Sequence, residues 1–366
     1  MESLDDYFLT RTLKLALKGN GMVSPNPMVG AVLVKEGKII SEGFHYKYGG
    51  AHAEVVAINN SSEDLSGTDL YVSLEPCSHF GKTPPCSDLI IDKKIKRVVI
   101  GAIDPNPVVA GNGVKKLLDA GVSVEVSRNK KYTEFYKKFA TYITTDFPWI
   151  TIKSAITLDG NVAETSGYSK WITSEKSRKV VQQLRKYHDA ILTTSKTVRS
   201  DNPRLTLHKE NDLSPKRFML SSKLFFDDKL SFFQNTDGKS IIITSNDDTE
   251  NYDTSKKLKQ AGIPVMSIPK MDGTNLPDPA EAFKIIRTAG ITSVMVEAGA
   301  EFTSILLNKQ LFNEFVLFIA PKLIGRGINL FSGIEQYGLD KSLLLNLRQV
   351  KKTDTDAILF FERMVN

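Results

Sequence analysis

The sequence predicts an α/β protein made of two separate α/β units, and three observations carry that prediction. Helix-period segments and short apolar, β-branched runs alternate along almost the whole 366-residue chain, the pattern of sheets covered by helices. The length is about twice that of an ordinary domain of roughly 150 residues. The alternation pauses at Asp146-Phe-Pro148, and no repeat relates the two sides, which sets the expected units at 1–146 and 147–366. Composition agrees: 24 Gly, 15 Pro, 41% hydrophobic and 25% charged residues exclude collagen-like and largely disordered chains.

In the first unit Leu4, Phe8, Leu9, Leu13, Leu15 and Ala16 recur at helical spacing, with Ser3 placed to cap and Gly19-Asn20 to stop the helix. Val29–Val34 and Ile39–Phe44 flank a Lys-Glu-Gly-Lys turn and predict a strand hairpin. Then follow a helix from His52, a strand at 70–74, a helix from Cys86, a strand at 97–103, a helix at 114–120 and a strand at 122–126. Residues 127–147 predict one basic, aromatic helix, whose stretch 131–143 offers a surface for packing domains or subunits into a homo-oligomer. In the second unit, strands are expected at 149–157, 189–194, 217–220, 240–244, 292–297 and 314–320. Helices are expected at 174–186, 279–288 and from Glu301, with 343–350 and 357–362 as a closing antiparallel pair.

The chain has 2 cysteines, too few for a disulfide scaffold, and its start, Met1-Glu-Ser-Leu-Asp-Asp6, is acidic where a secretory signal is basic and then apolar. A reducing, cytoplasmic location is expected. No apolar run approaches the roughly 20 residues that span a bilayer. The net charge of +6 is modest, and the densest basic run, Lys93-Lys-Ile-Lys-Arg97, reads as a solvated helix end rather than a nucleic-acid patch.

The sharpest chemical signal combines His52-Ala-Glu54 at a helix start with Pro76-Cys77 and, eight residues further on, Cys86. One imidazole and two thiolates suit Zn²⁺, and three protein ligands leave a fourth position for water, as in catalytic rather than structural zinc. Glu54, two residues from a ligand, is placed to take a proton from that water and return it to a leaving amine. Both cysteines follow prolines where helices can begin, and a helix N-terminus favours the thiolate that binds metal. Singly, each residue has an ordinary structural reading; jointly and in this order they form a zinc-deaminase signature.

With these motifs the chain resembles the bifunctional riboflavin-biosynthesis family of diaminohydroxyphosphoribosylaminopyrimidine deaminase and 5-amino-6-(5-phosphoribosylamino)uracil reductase. The resemblance runs through Asn26-Pro-Met-Val-Gly30, Gly43-Phe-His45, His52-Ala-Glu54, the stretch Glu75–Cys86 and Asp104-Pro-Asn-Pro107. It continues through Ser154–Gly160, Lys170-Trp-Ile-Thr173, Asp201-Asn-Pro203, Val296-Glu-Ala-Gly299 and Ala320-Pro-Lys322. It implies a cytidine-deaminase-like α/β/α sandwich followed by a dihydrofolate-reductase-like α/β domain. It further implies His52, Cys77 and Cys86 as zinc ligands, Glu54 as proton shuttle, and Asn26, His45, His79 and Lys82 as contacts to a ribotide.

The dinucleotide-binding pattern of three spaced glycines between strand and helix is absent; Gly325-Arg-Gly327 is too weak a match. In the second unit Val294–Phe302 reads as a buried strand, a glycine and a helix start, where backbone N–H groups can hold a phosphate. The resemblance implies NADPH as cofactor, lying along Ala155, Trp171, Thr197, Asp201, Ser222 and the run Gly299, Ala300, Glu301, Phe302, Thr303, Ser304, Ile305. It implies Ser169, Arg185, Leu205, His208 and Glu297 on the substrate side, Arg185 as a guanidinium partner for phosphate, with Lys153 and Asp159 ranked below them. His208 stands where the family usually has Arg, with Arg204 close enough in sequence to substitute. Ser221-Ser222 stands where the family often has Asp-Ser, and Lys223 beside it is placed to meet the cofactor's extra phosphate. The expected partner is a small phosphorylated pyrimidine, without nucleic acid or membrane. A nucleic-acid base deaminase with an accessory α/β domain is the alternative, against which the long gap between the cysteines speaks; a binding module with structural zinc is a third reading.

Overall fold

The computed structural model describes residues 3–80, 84–207, 214–245, 252–335 and 338–364, and the chain falls into two compact units, Met1–Asp146 and Phe147–Asn366. In the first, the elements run α1 (Leu4–Ala16), β1 (Gly30–Lys35), β2 (Lys38–Phe44), α2 (Ala53–Asn59), β3 (Asp69–Leu74), α3 (Cys86–Asp92), β4 (Arg97–Ala102), α4 (Asn112–Asp119), β5 (Ser123–Val126), α5 (Lys130–Phe135) and α6 (Lys137–Thr144). The sheet order is β2-β1-β3-β4-β5. The hairpin partners of β1 are antiparallel, whereas β3, β4 and β5 run parallel.

Because side chains alternate along a strand, this sheet carries two cores. Leu33, Leu70, Val72, Val98 and Ile100 point to one face and pack on Ala53, Ala57, Ile58, Ile90 and Leu117 of α2, α3 and α4. Their neighbours Val32, Val34, Tyr71 and Val99 point to the other and pack on Phe8, Leu9 and Leu15 of α1 and on Tyr132 and Tyr136. Burial on both faces is why these strands read as unbroken apolar runs. Ser3 caps α1 as expected, its hydroxyl accepting from Asp6 N at 3.1 Å. The single helix expected at 127–147 is instead two, α5 and α6, broken at Tyr136, whose hydroxyl lies 2.7 Å from Ser73 Oγ and 3.0 Å from Met28 O. Seating that ring under the sheet outweighs helical continuity. Arg97, the end of the basic run, meets Asp5, Asp69 and Glu125, so its charge is spent inside the fold rather than on a polymer.

The second unit contains β6 (Trp149–Thr157), β7 (Asn161–Glu164), α7 (Glu175–Lys186), β8 (Ala190–Thr194), α8 (Ser195–Asp201), β9 (Lys216–Ser221), α9 (Ser231–Gln234), β10 (Ser240–Ser245), α10 (Tyr252–Gln260) and β11 (Val265–Ile268). It continues with α11 (Pro279–Thr288), β12 (Ser293–Val296), α12 (Ala300–Asn308), β13 (Glu314–Ala320), β14 (Gly327–Asn329), β15 (Leu345–Thr353) and β16 (Asp356–Arg363). The sheet order is β11-β10-β9-β8-β12-β6-β13-β16-β15, with β7 and β14 forming a separate ribbon. Strands β11 through β13 pair in parallel, and the closing pair is antiparallel. Val181 of α7 packs on one set of strand residues, and Phe283, Ile286, Phe302 and Leu306 of α11 and α12 pack on another. From β8 the chain continues outward to β9, while from β12 it crosses β6 to β13. The carboxyl ends of β8 and β12 therefore flank a switch point, where open α/β sheets take ligands.

Among the described residues no helix is long and apolar enough to cross a membrane. One close approach in the first unit bears on function: a Cβ added to Gly43 of β2 would lie 2.3 Å from Ala53 O and 2.4 Å from Ala57 N, pushing away the helix that carries Glu54. Gly43→Ala is expected to destabilise the first unit by about 2 kcal/mol, within the usual range for overpacking, and to lower metal occupancy. Thermal unfolding with and without a chelator measures both; a stable variant with undiminished metal content would refute the tight α2–β2 contact.

Candidate metal centre and ligand crevice

Three elements converge in the first unit. His52 is the N-cap of α2, Cys86 opens α3, and Cys77 follows β3 in an irregular segment. The expectation that both cysteines start helices holds for Cys86 only, yet the helix still acts on Cys77, because Cys86 N donates to Cys77 Sγ at 3.3 Å. His52 Nδ1 lies 3.3 Å from Cys86 Sγ and 3.5 Å from Cys77 Sγ, and the three donor atoms all lie within 4.8 Å of one another. A tetrahedral zinc with bonds of about 2.3 Å to sulfur and 2.0 Å to nitrogen spaces such donors by about 3.5 Å. The residues fit that ion.

The three donors shift one another's protonation. A hydrogen bond from the Cys86 thiol, helped by His52, pulls Cys77 down to about 4, while donating that bond holds Cys86 well above the usual thiol range. The hydrogen bond with Cys77 raises His52 to about 9. These shared protons are what a divalent metal displaces on binding. Glu54, 3% exposed, is pushed up by burial, with His52 opposing.

Of the residues assigned to the ribotide, Asn26 and His45 join the cluster. His45 Nδ1 donates to Ala51 O at 2.9 Å, and Asn26 Nδ2 donates to His45 Nε2 at 3.2 Å. These bonds fix the neutral tautomer, and burial lowers the imidazole's affinity for a second proton. The His45 and His52 rings meet edge to face at 5.8 Å. His79 is exposed beside Cys77 and acts electrostatically on Asp104. Lys82 lies outside the described residues. Sequence reasoning gave Glu75 no role, yet it is 4% exposed and accepts four backbone N–H groups: Asp104 and Gly111 on Oε2, Gly113 and Val114 on Oε1. Its position inside the matched stretch was the available signal.

In the second unit the assigned residues gather about the switch point. Arg185 of α7 grips Glu297, just beyond β12, with Nε at 2.7 Å and Nη2 at 3.1 Å, and its Nη1 donates to Thr206 O at 3.1 Å. The guanidinium fork expected to hold phosphate is thus engaged by a carboxylate. Burial pushes Glu297 up, but Arg185 and Lys153 outweigh it and hold the carboxyl below its ordinary range. Lys153, on the same face of β6 as Ala155, is lowered by burial and by Arg185, with Glu297 and Asp201 opposing. Ser169 Oγ donates to Asp201 Oδ1 at 3.2 Å. Lys153 therefore belongs to the centre of the cluster rather than its margin. Asp159 lies apart: its carboxylate accepts from Thr157 Oγ1, Ile324 N and Gly325 N and ties down a loop.

The remaining assignments separate by burial. Gly299 caps α12 without a side-chain bond, and a Cβ there would meet open space, so the first-turn N–H groups are available to an anion. Phe302, Thr303 and Ser304 are buried and Ile305 packs on the same core; a cofactor would meet this run through Gly299, Ala300 and the helix start. Glu301 pairs with Lys196 at 3.1 Å. Thr197 is in the first turn of α8, its N–H bonded to the cap Thr194. Trp171 is 64% exposed, with the Arg178 guanidinium 4.4 Å from its ring centroid and Lys322 Nζ 2.7 Å from its carbonyl oxygen. Leu205 adopts φ +54° and turns its side chain into the core. Ser222 is half-buried after β9, Lys223 and Arg204 are exposed, and His208 lies outside the described residues. Gly325-Arg-Gly327 leads into strand β14 and no helix, unlike a dinucleotide turn.

Comparison with known proteins agrees with both units. Residues 148–359 match the family described as RibD C-terminal domain, and residues 2–102 match the cytidine and deoxycytidylate deaminase zinc-binding region. The chain is 38% identical over 366 residues to riboflavin biosynthesis protein RibD of Aquifex aeolicus, covering 99% of each. It is 37% identical over 349 residues to that of Escherichia coli, covering 91% of this chain and 92% of the relative. Among solved structures, Acinetobacter baumannii RibD superposes with TM-score 0.87 at 30% identity and 99% coverage of both chains. The Thermotoga maritima diaminohydroxyphosphoribosylaminopyrimidine deaminase/5-amino-6-(5-phosphoribosylamino)uracil reductase superposes with TM-score 0.86 at 35% identity, again covering 99% of both.

The Arg185–Glu297 pair makes a pH-dependent prediction. Its side chains are 12% and 13% exposed, so Arg185→Met should cost about 3 kcal/mol by leaving a carboxylate unpaired. Because the folded carboxyl is held below its unfolded value, the pair's contribution is complete above the unfolded pKa and is lost as pH falls through the folded one. The stability gap between wild type and variant in denaturant unfolding should be widest near neutrality and close at acid pH; a gap independent of pH would contradict the assignment.

Proposed function

From the premise that this chain belongs to the riboflavin biosynthesis protein RibD family, we propose that its first unit deaminates 2,5-diamino-6-(5-phosphoribosylamino)pyrimidin-4(3H)-one and its second reduces the ribose of 5-amino-6-(5-phosphoribosylamino)uracil to ribityl. The chain is a bifunctional enzyme of riboflavin biosynthesis, a deaminase and a reductase. A second unit matching the RibD C-terminal domain sets aside the nucleic-acid deaminase reading.

The observation that carries the first activity is a buried carboxylate, Glu54, in the first turn of the helix whose cap, His52, meets Cys77 and Cys86. His52, Cys77 and Cys86 would hold Zn²⁺, which when bound would supply Lewis-acid activation of water near neutral pH. Glu54 takes the proton released as water adds to the amine-bearing ring carbon and delivers it to the departing ammonia; burial, by favouring its protonated form, suits it to hold that proton between the two events. Asn26 offers its remaining amide groups to the pyrimidine edge, and the hydrogen bonds that fix His45 keep the imidazole neutral beside the ligand side. His79 and Lys82 serve the ribotide's phosphate end.

In the second unit NADPH, when bound along Ala155, Trp171, Thr197, Asp201, Ser222 and the α12 start, supplies a hydride. Reduction of a cyclic ribose to an open ribityl chain also needs a proton at the ring oxygen. Lys153, half-buried among Arg185, Glu297 and Asp201, is the residue assigned to supply it; burial lowers its pKa and so eases release of the proton, with Glu297 and Asp201 opposing that shift. Ser169 and Arg185 fix Asp201 and Glu297 respectively, and Leu205 presents backbone to the substrate.

Glu54→Gln keeps size and removes the proton carrier. The variant should bind zinc as wild type does, release no ammonia from the diaminopyrimidine ribotide, and still reduce the deaminated product when that is supplied. Metal analysis, ammonia release and NADPH oxidation on one preparation check all three; retained deamination would overturn the role of Glu54.

A further inference from the structure

Glu75 is a buried acidic group that the proposed chemistry leaves unused. It closes β3, with Pro76 and the ligand Cys77 directly after it. Both carboxylate oxygens are doubly engaged by backbone donors from one distant segment. Oε2 accepts from Asp104 N at 3.2 Å and Gly111 N at 3.0 Å; Oε1 accepts from Gly113 N at 2.8 Å and Val114 N at 3.1 Å. Helix α4 has Gly111 as its N-cap and hence no capping side chain of its own; Glu75 supplies the cap from across the sheet. The approach is close enough that a Cβ on Gly113 would lie 2.1 Å from Pro76 O. The segment so held begins at Asp104, a half-buried carboxylate within electrostatic reach of His79 and Cys77.

We propose that Glu75 is a positioning residue for the deaminase: by clamping Asp104–Val114 to the end of β3, it fixes the segment within electrostatic reach of Cys77 and His79 and so sets substrate binding rather than metal binding. This rests on the deaminase reading of the first unit. The metal ligands His52 and Cys86 and the proton carrier Glu54 lie at the starts of α2 and α3, which none of these four bonds touches; the third ligand, Cys77, lies two residues beyond Glu75 and is likewise a partner in none of the four. Four donors converging on two oxygens admit only a carboxylate, since glutamine has one acceptor and would turn its amide N–H groups toward two of the donors.

The test is steady-state ammonia release from the diaminopyrimidine ribotide by zinc-loaded, full-length wild type and Glu75→Gln. Zinc content is measured on each preparation, and reduction of the deaminated product is followed in the same molecules. The expected result is a KM raised about tenfold, the cost of leaving charge-assisted hydrogen bonds unmade, with kcat, zinc stoichiometry and reductase rate unchanged. Glu75→Asp, which keeps both acceptors, should recover part of the loss. If Glu75→Gln fails to fold, Gly113→Ala strains the same contact with the carboxylate intact and should raise KM alike. An unchanged KM in the folded variants, or a kcat that falls in step with lost zinc, overturns the proposal. Wild type that releases no ammonia would overturn the deaminase reading itself, and this inference with it.

Discussion

The first unit depends on bringing three soft and borderline donors from three chain segments to within one ion's reach. His52, Cys77 and Cys86 belong to a helix cap, a strand exit and a helix start, and each is held by the packing of its own element. Ala53 and Ala57 seat α2 on the sheet, Ile90 seats α3, and the β3 strand between them is buried on both sides. Hydrogen bonding among the three donors lowers the Cys77 thiol and raises His52. A divalent metal bound by these donors takes the protons' place. Placing Glu54 in the first turn of α2, two residues beyond His52, then puts a proton carrier beside the ligands with no further device.

The second unit solves a different problem, holding several charges near neutral ligand chemistry in a parallel sheet. Arg185, Glu297, Lys153 and Asp201 balance one another where β8 and β12 part. Arg185 at close range, with Lys153, holds the Glu297 carboxyl below its ordinary range despite burial, while Glu297 and Asp201 oppose the lowering that burial imposes on Lys153. The guanidinium that a reading by residue type assigns to phosphate is consumed in this balance. The start of α12 at Gly299 has no side-chain cap, the kind of helix start that suits an anion.

Much of this was legible in the sequence because the chemistry is concentrated in short, unusual runs. His52-Ala-Glu54 with two Pro-Cys pairs specifies a metal set by residue type alone, and two-sided burial made the strands visible as apolar runs. What stayed hidden depends on distance in space. Four backbone donors on Glu75 come from residues about thirty to forty positions away, and no local pattern marks them. The break at Tyr136 is tertiary, a ring drawn under the sheet against helical periodicity. The four-residue strands β7 and β11 are too short to show alternation. The burial of Phe302, Thr303 and Ser304, which turns a side-chain assignment into a backbone one, follows from which face of α12 meets the sheet.

The central claim is that one chain performs deamination and reduction in succession. It is tested most directly by mass spectrometry of the products made from the diaminopyrimidine ribotide by purified, zinc-loaded protein, with and without NADPH. The account predicts exchange of an amino group for oxygen without the cofactor, and that exchange plus the gain of two hydrogens with it. Gain of hydrogen without deamination, or an unaltered ribotide in both cases, would contradict it.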